Sequence, residues 1–147
     1  MKKVLFILAC TCFYNPLCFG QVWQTDLEVG LKKAAQQNKK VLLFFSVPEG
    51  CDSCHKLEKN IFKSTEFIEY AEQNYVLVKI DFSYDAQDLS KDQLEKNLLI
   101  VEKYNKDGFF PHVVVLNREA KITNKVRVYN KETPQQYLSM LGNTSKS

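Results

Sequence analysis

The chain has 147 residues, 45% of them hydrophobic and 25% charged, with a formal net charge of +3. This length suits one domain with a proper core and excludes two. The nearly balanced charge has no basic cluster, which excludes a nucleic-acid footprint, and the scattered lysines read as solvated surface.

The first segment is "MKKVLFILACTCFYNPLCFGQ". Lys2 and Lys3 form a positive start, Val4 to Phe13 an apolar core, and Cys18-x-Gly20 a small-residue cleavage site, the layout of a secretory signal peptide. The apolar run is about ten residues, whereas a spanning helix needs ~20. Residues 1–20 are therefore expected to be removed, leaving one domain over residues 21–147. Processing at Cys10 to give a lipoprotein is the weaker alternative, because Leu8 and the short apolar core fit it poorly. Without Lys2 and Lys3 the formal charge falls to +1. The tail "GNTSKS" carries no retention signal of the KDEL kind, so the expected compartment is the periplasm.

Next, "TDLEVGLKKAAQQNKK" offers a Thr25-x-x-Glu28 capping box and Leu27, Leu31 and Ala34 at helical spacing. "VLLFFS", residues 41–46, is too short for a helix and suits a strand buried on both faces. "VPEG" breaks it, and "CDSCH" follows. Leu57 and Ile61, four apart, predict a helix starting at that motif. Ser64 can cap a further short helix carrying Phe67, Ile68 and Ala71. "YVLVKID", residues 75–81, is a second strand. "SKDQLEKNLLIVEKY" predicts a helix with a Ser90-x-x-Gln93 box and an apolar face of Leu94, Leu98 and Val101. "NKDG" is a turn, "HVVVLN" a third strand, "REAK" a tight connection, and "ITNKVRVY" a fourth strand. Thr133-Pro134 starts the last helix, with proline at its first position, and Gly142 ends it. Helices alternating with buried strands, then a β-hairpin, predict an α/β fold whose mixed sheet has helices on both faces.

Cysteine usage narrows the chemistry. Cys10, Cys12 and Cys18 lie in the leader, so the mature domain keeps Cys51 and Cys54 alone. A disulfide-stapled scaffold would need several pairs at wider spacing, and a single close pair points to function instead. Cys51-x-x-Cys54 fits a dithiol that cycles with a disulfide, while Cys51-x-x-Cys54-His55 also fits attachment of a c-type haem. A dithiol enzyme needs one thiol exposed and partly ionised. A strand running into a helix start supplies this, since unpaired N–H groups and the positive dipole end stabilise anionic sulfur at Cys51. Cys54, one turn on, is placed to resolve a mixed disulfide. Haem would need a second axial ligand, and its candidates are Met140, read as core, and His112. Copper or zinc held by the cysteines with His55 or His112 is a further alternative, although closed zinc sites normally take four ligands. The expected reading needs no cofactor and no metal.

"VLLFFSVPEGCDSCHKLEKNIF", "YVLVKID" and "YNKDGFFPHVVVLNREAKI" together resemble the active-site strand and helix, the next strand, and the proline turn and hairpin of the thioredoxin superfamily. The lead-in is similar to secreted, DsbH-like members of the bacterial Dsb group. The resemblance implies a thioredoxin fold with a central sheet of four to five strands. It implies that Cys51 is the nucleophile, Cys54 the resolving thiol, and Cys51–Cys54 the redox disulfide. Pro111 falls on the family's cis-proline, and Phe110 before it would pair with substrate backbone. Asp52, Ser53 and His55 would modulate the pair. Gly50 stands where thioredoxins carry Trp, and Phe44 and Phe45 occupy the region of their buried Asp, so water, His55 or Glu58 would have to assist Cys54. Asp52 opposes ionisation of Cys51, which favours the reducing direction. Implied partners are disulfide-containing secreted proteins and a membrane electron donor of DsbD type, with the protein itself a monomer.

Overall fold

The computed structural model describes residues 21–82, 89–127 and 129–142. The leader therefore lies outside the described residues. Five strands, β1 (Trp23–Gln24), β2 (Lys40–Ser46), β3 (Tyr75–Asp81), β4 (His112–Leu116) and β5 (Ile122–Arg127), form one sheet in the order β1-β3-β2-β4-β5. β1 and β2 run parallel to β3, whereas β4 pairs antiparallel with both β2 and β5. The helices are α1 (Leu27–Gln37), α2 (Asp52–Leu57), α3 (Thr65–Asn74), α4 (Lys91–Tyr104) and α5 (Pro134–Gly142), and a π-helical turn, Glu58–Phe62, extends α2.

β2 is central because it has no polar face to leave in water. All residues from Val41 to Phe45 are fully buried, as a strand covered on both sides requires. Leu42 and Phe44 point into one core with Leu57, Ile61, Phe62 and Phe67, under α2, the π-turn, α3 and α5. Leu43 and Phe45 point into the other core with Leu27, Ala34 and Tyr104, under α1 and α4.

Three local expectations need correction. Thr25 does not cap α1. Asp26 does, its carboxylate accepting the Val29 N–H at 3.0 Å, because that side chain sits one residue nearer the first free N–H groups. The buried face of α4 is Asn97 and Tyr104 with half-buried Ile100 and Val101, while Leu98 is exposed. Tyr104 is anchored by its hydroxyl donating to the Ala120 carbonyl at 3.0 Å, which sets the helix rotation. The short β1, unassigned in the chain-order reading, joins the sheet through two residues paired to Leu77 and Val78. Ser64 and Ser90 cap α3 and α4 as expected, accepting from the N–H groups of Phe67 and Gln93.

Candidate active site

β2 ends at Ser46, and the chain crosses Val47–Gly50 before α2 begins. Gly50 adopts φ +77, a left-handed conformation that glycine takes without strain, and it turns the chain into the helix. Cys51 is the N-cap residue of α2, and its sulfur accepts the Cys54 N–H at 3.2 Å. A helix start leaves such N–H groups without intrahelical partners, so the sulfur occupies the place of a capping oxygen. Ser53 Oγ lies 3.6 Å from the same sulfur. Cys54 is fully buried against the core that contains Leu57 and Phe44, while Cys51 is half-buried at the surface. The two are joined as a disulfide with S–S 2.02 Å and Cα–Cα 5.3 Å.

The remaining sequence-predicted residues fall into two groups. Phe110 lines the same open groove as Cys51, about 570 Å³ in volume, together with Ser53, Lys56, Tyr129 and Lys131. The Phe110–Pro111 peptide bond is cis, and Pro111 is buried. Asp52 and His55 are exposed on the first turn of α2, Asp52 on the groove wall and His55 off it. His112 does not join the cysteines. It is buried and stacks on Phe45 with ring centroids 6.0 Å apart, on the sheet face opposite Cys54. Met140 packs against the α5-side core. Among the described residues no group of three or more His, Cys, Asp or Glu side chains could hold a metal ion, so the cysteine–histidine metal alternative has no assembled ligand set.

Two features escaped the sequence reading. Tyr129 and Lys131, beyond β5, form the groove wall facing Phe110. Tyr129 is held there by the Asn60 amide, which donates to its hydroxyl at 3.2 Å. Nothing local in the sequence signals this, because the contact joins residues 69 apart. Beneath α2, Lys79 pairs with Glu58 at 2.9 Å and Asp81 at 3.2 Å and lies 5.8 Å over the Phe44 ring. Burial disfavours the Lys79 ammonium, but the hydrogen bond to Glu58 and the two carboxylate charges outweigh it and raise its pKa above the ordinary lysine value. Phe44 and Phe45, both fully buried, bring no acid to Cys54, and Glu58, one turn further along, meets Cys54 through its main-chain N–H, which donates to the Cys54 carbonyl. The pairing of Glu58 with Lys79 ties the end of α2 to β3.

Residues 27–144 match the family described as a thioredoxin-like domain. A stretch of 99 residues is 29% identical to "Disulfide bond reductase DsbH" of Chlamydia pneumoniae, covering 67% of this chain and 58% of that protein. Another, of 112 residues, is 23% identical to "Thioredoxin-related protein DsbJ" of the same organism, covering 76% of this chain and 32% of that one. The chain thus spans 58% and 32% of the lengths of these two curated relatives. Among solved structures it is similar to "DsbH Oxidoreductase", with TM-score 0.73 and 25% identity over 83% of this chain and 82% of the other.

Proposed function

Because the chain belongs to the thioredoxin-like domain family, we propose that it is a thiol–disulfide oxidoreductase working through Cys51 and Cys54. The observation that carries this is the asymmetry of the pair: Cys51 is accessible and hydrogen-bonded at a helix start, Cys54 is fully buried one turn behind it. In the reducing direction the Cys51 thiolate attacks a substrate disulfide, forming a mixed disulfide and expelling one substrate thiolate. Cys54 then loses its proton and attacks Cys51, expelling the second. Two electrons and two protons pass to the substrate, and Cys51–Cys54 is left oxidised. Phe110 lines the groove where substrate backbone would lie, with the buried Pro111 behind it.

The reducing direction is favoured by Asp52, an exposed negative charge next to Cys51, since disfavouring the thiolate favours the reductant. Dithiols of this kind span about −270 to −120 mV, roughly 7 kcal/mol, a range that a few local charges can traverse. Ser53 and His55 complete the modulating set, Ser53 by its approach to the sulfur. The substrates we assign are disulfide-containing secreted proteins in the periplasm. Residues 1–20 act as a cleaved leader, residues 21–147 work as a single monomeric domain, and a membrane thiol protein of DsbD type restores the dithiol. No helix among the described residues is long and apolar enough to cross a membrane.

The test is insulin reduction by the protein recycled with dithiothreitol, and activity surviving Cys51→Ser overturns the assignment. Equilibration of Cys51–Cys54 against glutathione decides direction, and a potential near the oxidising end overturns the reductase preference. Mass spectrometry of periplasmic protein decides processing, with a chain starting at Gln21 expected.

A further inference from the structure

Asn105 makes four hydrogen bonds at the end of α4 while only 3% exposed. Its N–H donates to the Val101 carbonyl at 2.7 Å, closing the helix, and its own carbonyl accepts the Gly108 N–H at 2.8 Å, closing the turn. Its side chain then grips Phe109 from both sides: Nδ2 donates to the Phe109 carbonyl at 2.9 Å and Oδ1 accepts the Phe109 N–H at 3.1 Å. A neutral carboxamide has both a donor and an acceptor on one planar group, so Asn105 pairs with Phe109 much as a neighbouring β-strand residue would. Burial holds the ends of this loop, at Asn105 and at Phe110, which packs against the core beside the buried Pro111. It does not hold the span between, for Lys106, Asp107 and Gly108 are exposed and the Phe109 side chain is 43% exposed.

The next residue is Phe110, on the groove wall facing Cys51. Phe110 makes no main-chain hydrogen bond among the described residues, so its peptide groups remain available to an added extended segment, the main-chain mode by which extended peptides join exposed strand edges. An edge of one residue can select substrate only if its orientation is set beforehand, since ordering it on binding would cost affinity. We propose that Asn105 is a positioning residue for disulfide exchange. Its carboxamide clamps Phe109 and thereby holds the Phe110 main chain ready to pair with the backbone of a peptide whose disulfide meets Cys51. This inference rests on the oxidoreductase assignment and makes the preferred substrate a disulfide in an extended polypeptide, with small disulfides lacking a backbone indifferent to the clamp.

The experiment compares the reduced protein's second-order rates toward insulin and toward a small aromatic disulfide without peptide bonds. In Asn105→Ala the insulin rate is expected to fall about tenfold, the loss set by one to two hydrogen bonds. The small-disulfide rate and the glutathione equilibrium potential should stay at the wild-type value. Asn105→Ser stays neutral and keeps a hydroxyl that can serve one of the two Phe109 groups, so it should fall by less and serves if the alanine variant does not fold. Asn124→Ala removes another buried amide, one that donates to the Met140 and Leu141 carbonyls away from the groove. It should lower the melting temperature and leave the ratio of the two rates alone. An unchanged ratio in the Asn105 variants, or an equal shift in Asn124→Ala, overturns the clamp. Failure of the wild-type protein to reduce either disulfide overturns the oxidoreductase assignment itself.

Discussion

Cys51 and Cys54 are the same residue type in opposite surroundings, and the difference sets which sulfur another molecule can reach. A buried thiol with core residues around it cannot reach a disulfide on another protein, whereas the capping sulfur of Cys51 lies in the groove. Cys54→Ser should therefore keep the first step and lose the second, accumulating a covalent one-to-one adduct with substrate, visible by non-reducing mass spectrometry and released by dithiothreitol. Cys51→Ser should form no adduct. Adducts of equal yield from both variants would remove the distinction between nucleophile and resolving thiol. The motif was legible in the sequence because its geometry is local: three residues of spacing within one helical turn suffice. The groove wall opposite was not, since Tyr129 reaches it through a long-range contact with Asn60, and the Asn105 clamp was hidden inside "NKDG", which reads only as a turn.

At the scale of elements, periodicity and caps identified most helices and strands, and failures came where tertiary packing outranked the local pattern. Leu98 fits the apolar stripe of α4, yet the Tyr104 hydroxyl anchor rotates that helix and exposes Leu98. Gly30 is a comparable case. In an exposed helix interior, alanine for glycine stabilises by ~1 kcal/mol, but α1 lies so close to β3 at Gly30 that an added methyl would run into the Val78 side chain. Overpacking costs ~1–3 kcal/mol, so Gly30→Ala should destabilise by up to about 2 kcal/mol on balance, read as a lower urea midpoint at unchanged m-value. A raised midpoint would show that α1 can move off the sheet at little cost. Ser64 terminates the π-turn and opens α3, donating to the Ile61 carbonyl at 2.6 Å and accepting the Phe67 N–H at 3.3 Å. Ser64→Ala should cost ~1 kcal/mol, lowering the melting temperature by about 3–5 °C. That segment continues the helix carrying the dithiol, so a larger loss would mean that the π-turn unravels with its cap.

The whole molecule is one sheet with a core on each face, and its alkaline limit follows from what the α5-side core contains. Tyr75 and Tyr137 are both buried there. Burial, reinforced by the charge of Tyr70 and a hydrogen bond with it, raises the Tyr75 phenol pKa above its ordinary value. Burial, reinforced by Glu132, does the same for Tyr137. Lys79 is also raised, against its own desolvation, by Glu58 and Asp81. Each group thus holds its proton more tightly folded than unfolded. Their contribution is fully present below the unfolded values near pH 10 and is lost as the pH climbs above them. Stability should be flat from about pH 7 to 9 and fall beyond about 10, measured as urea midpoints on the oxidised protein, in which residues 21–147 hold no thiol outside the bonded pair. Tyr137→Phe keeps the ring in the core and removes the titrating hydroxyl, so its midpoints should decline less steeply above pH 10 than those of the wild type. An identical slope would mean that the Tyr137 phenol reaches water before the core opens, and the alkaline loss would then belong to Tyr75 and Lys79.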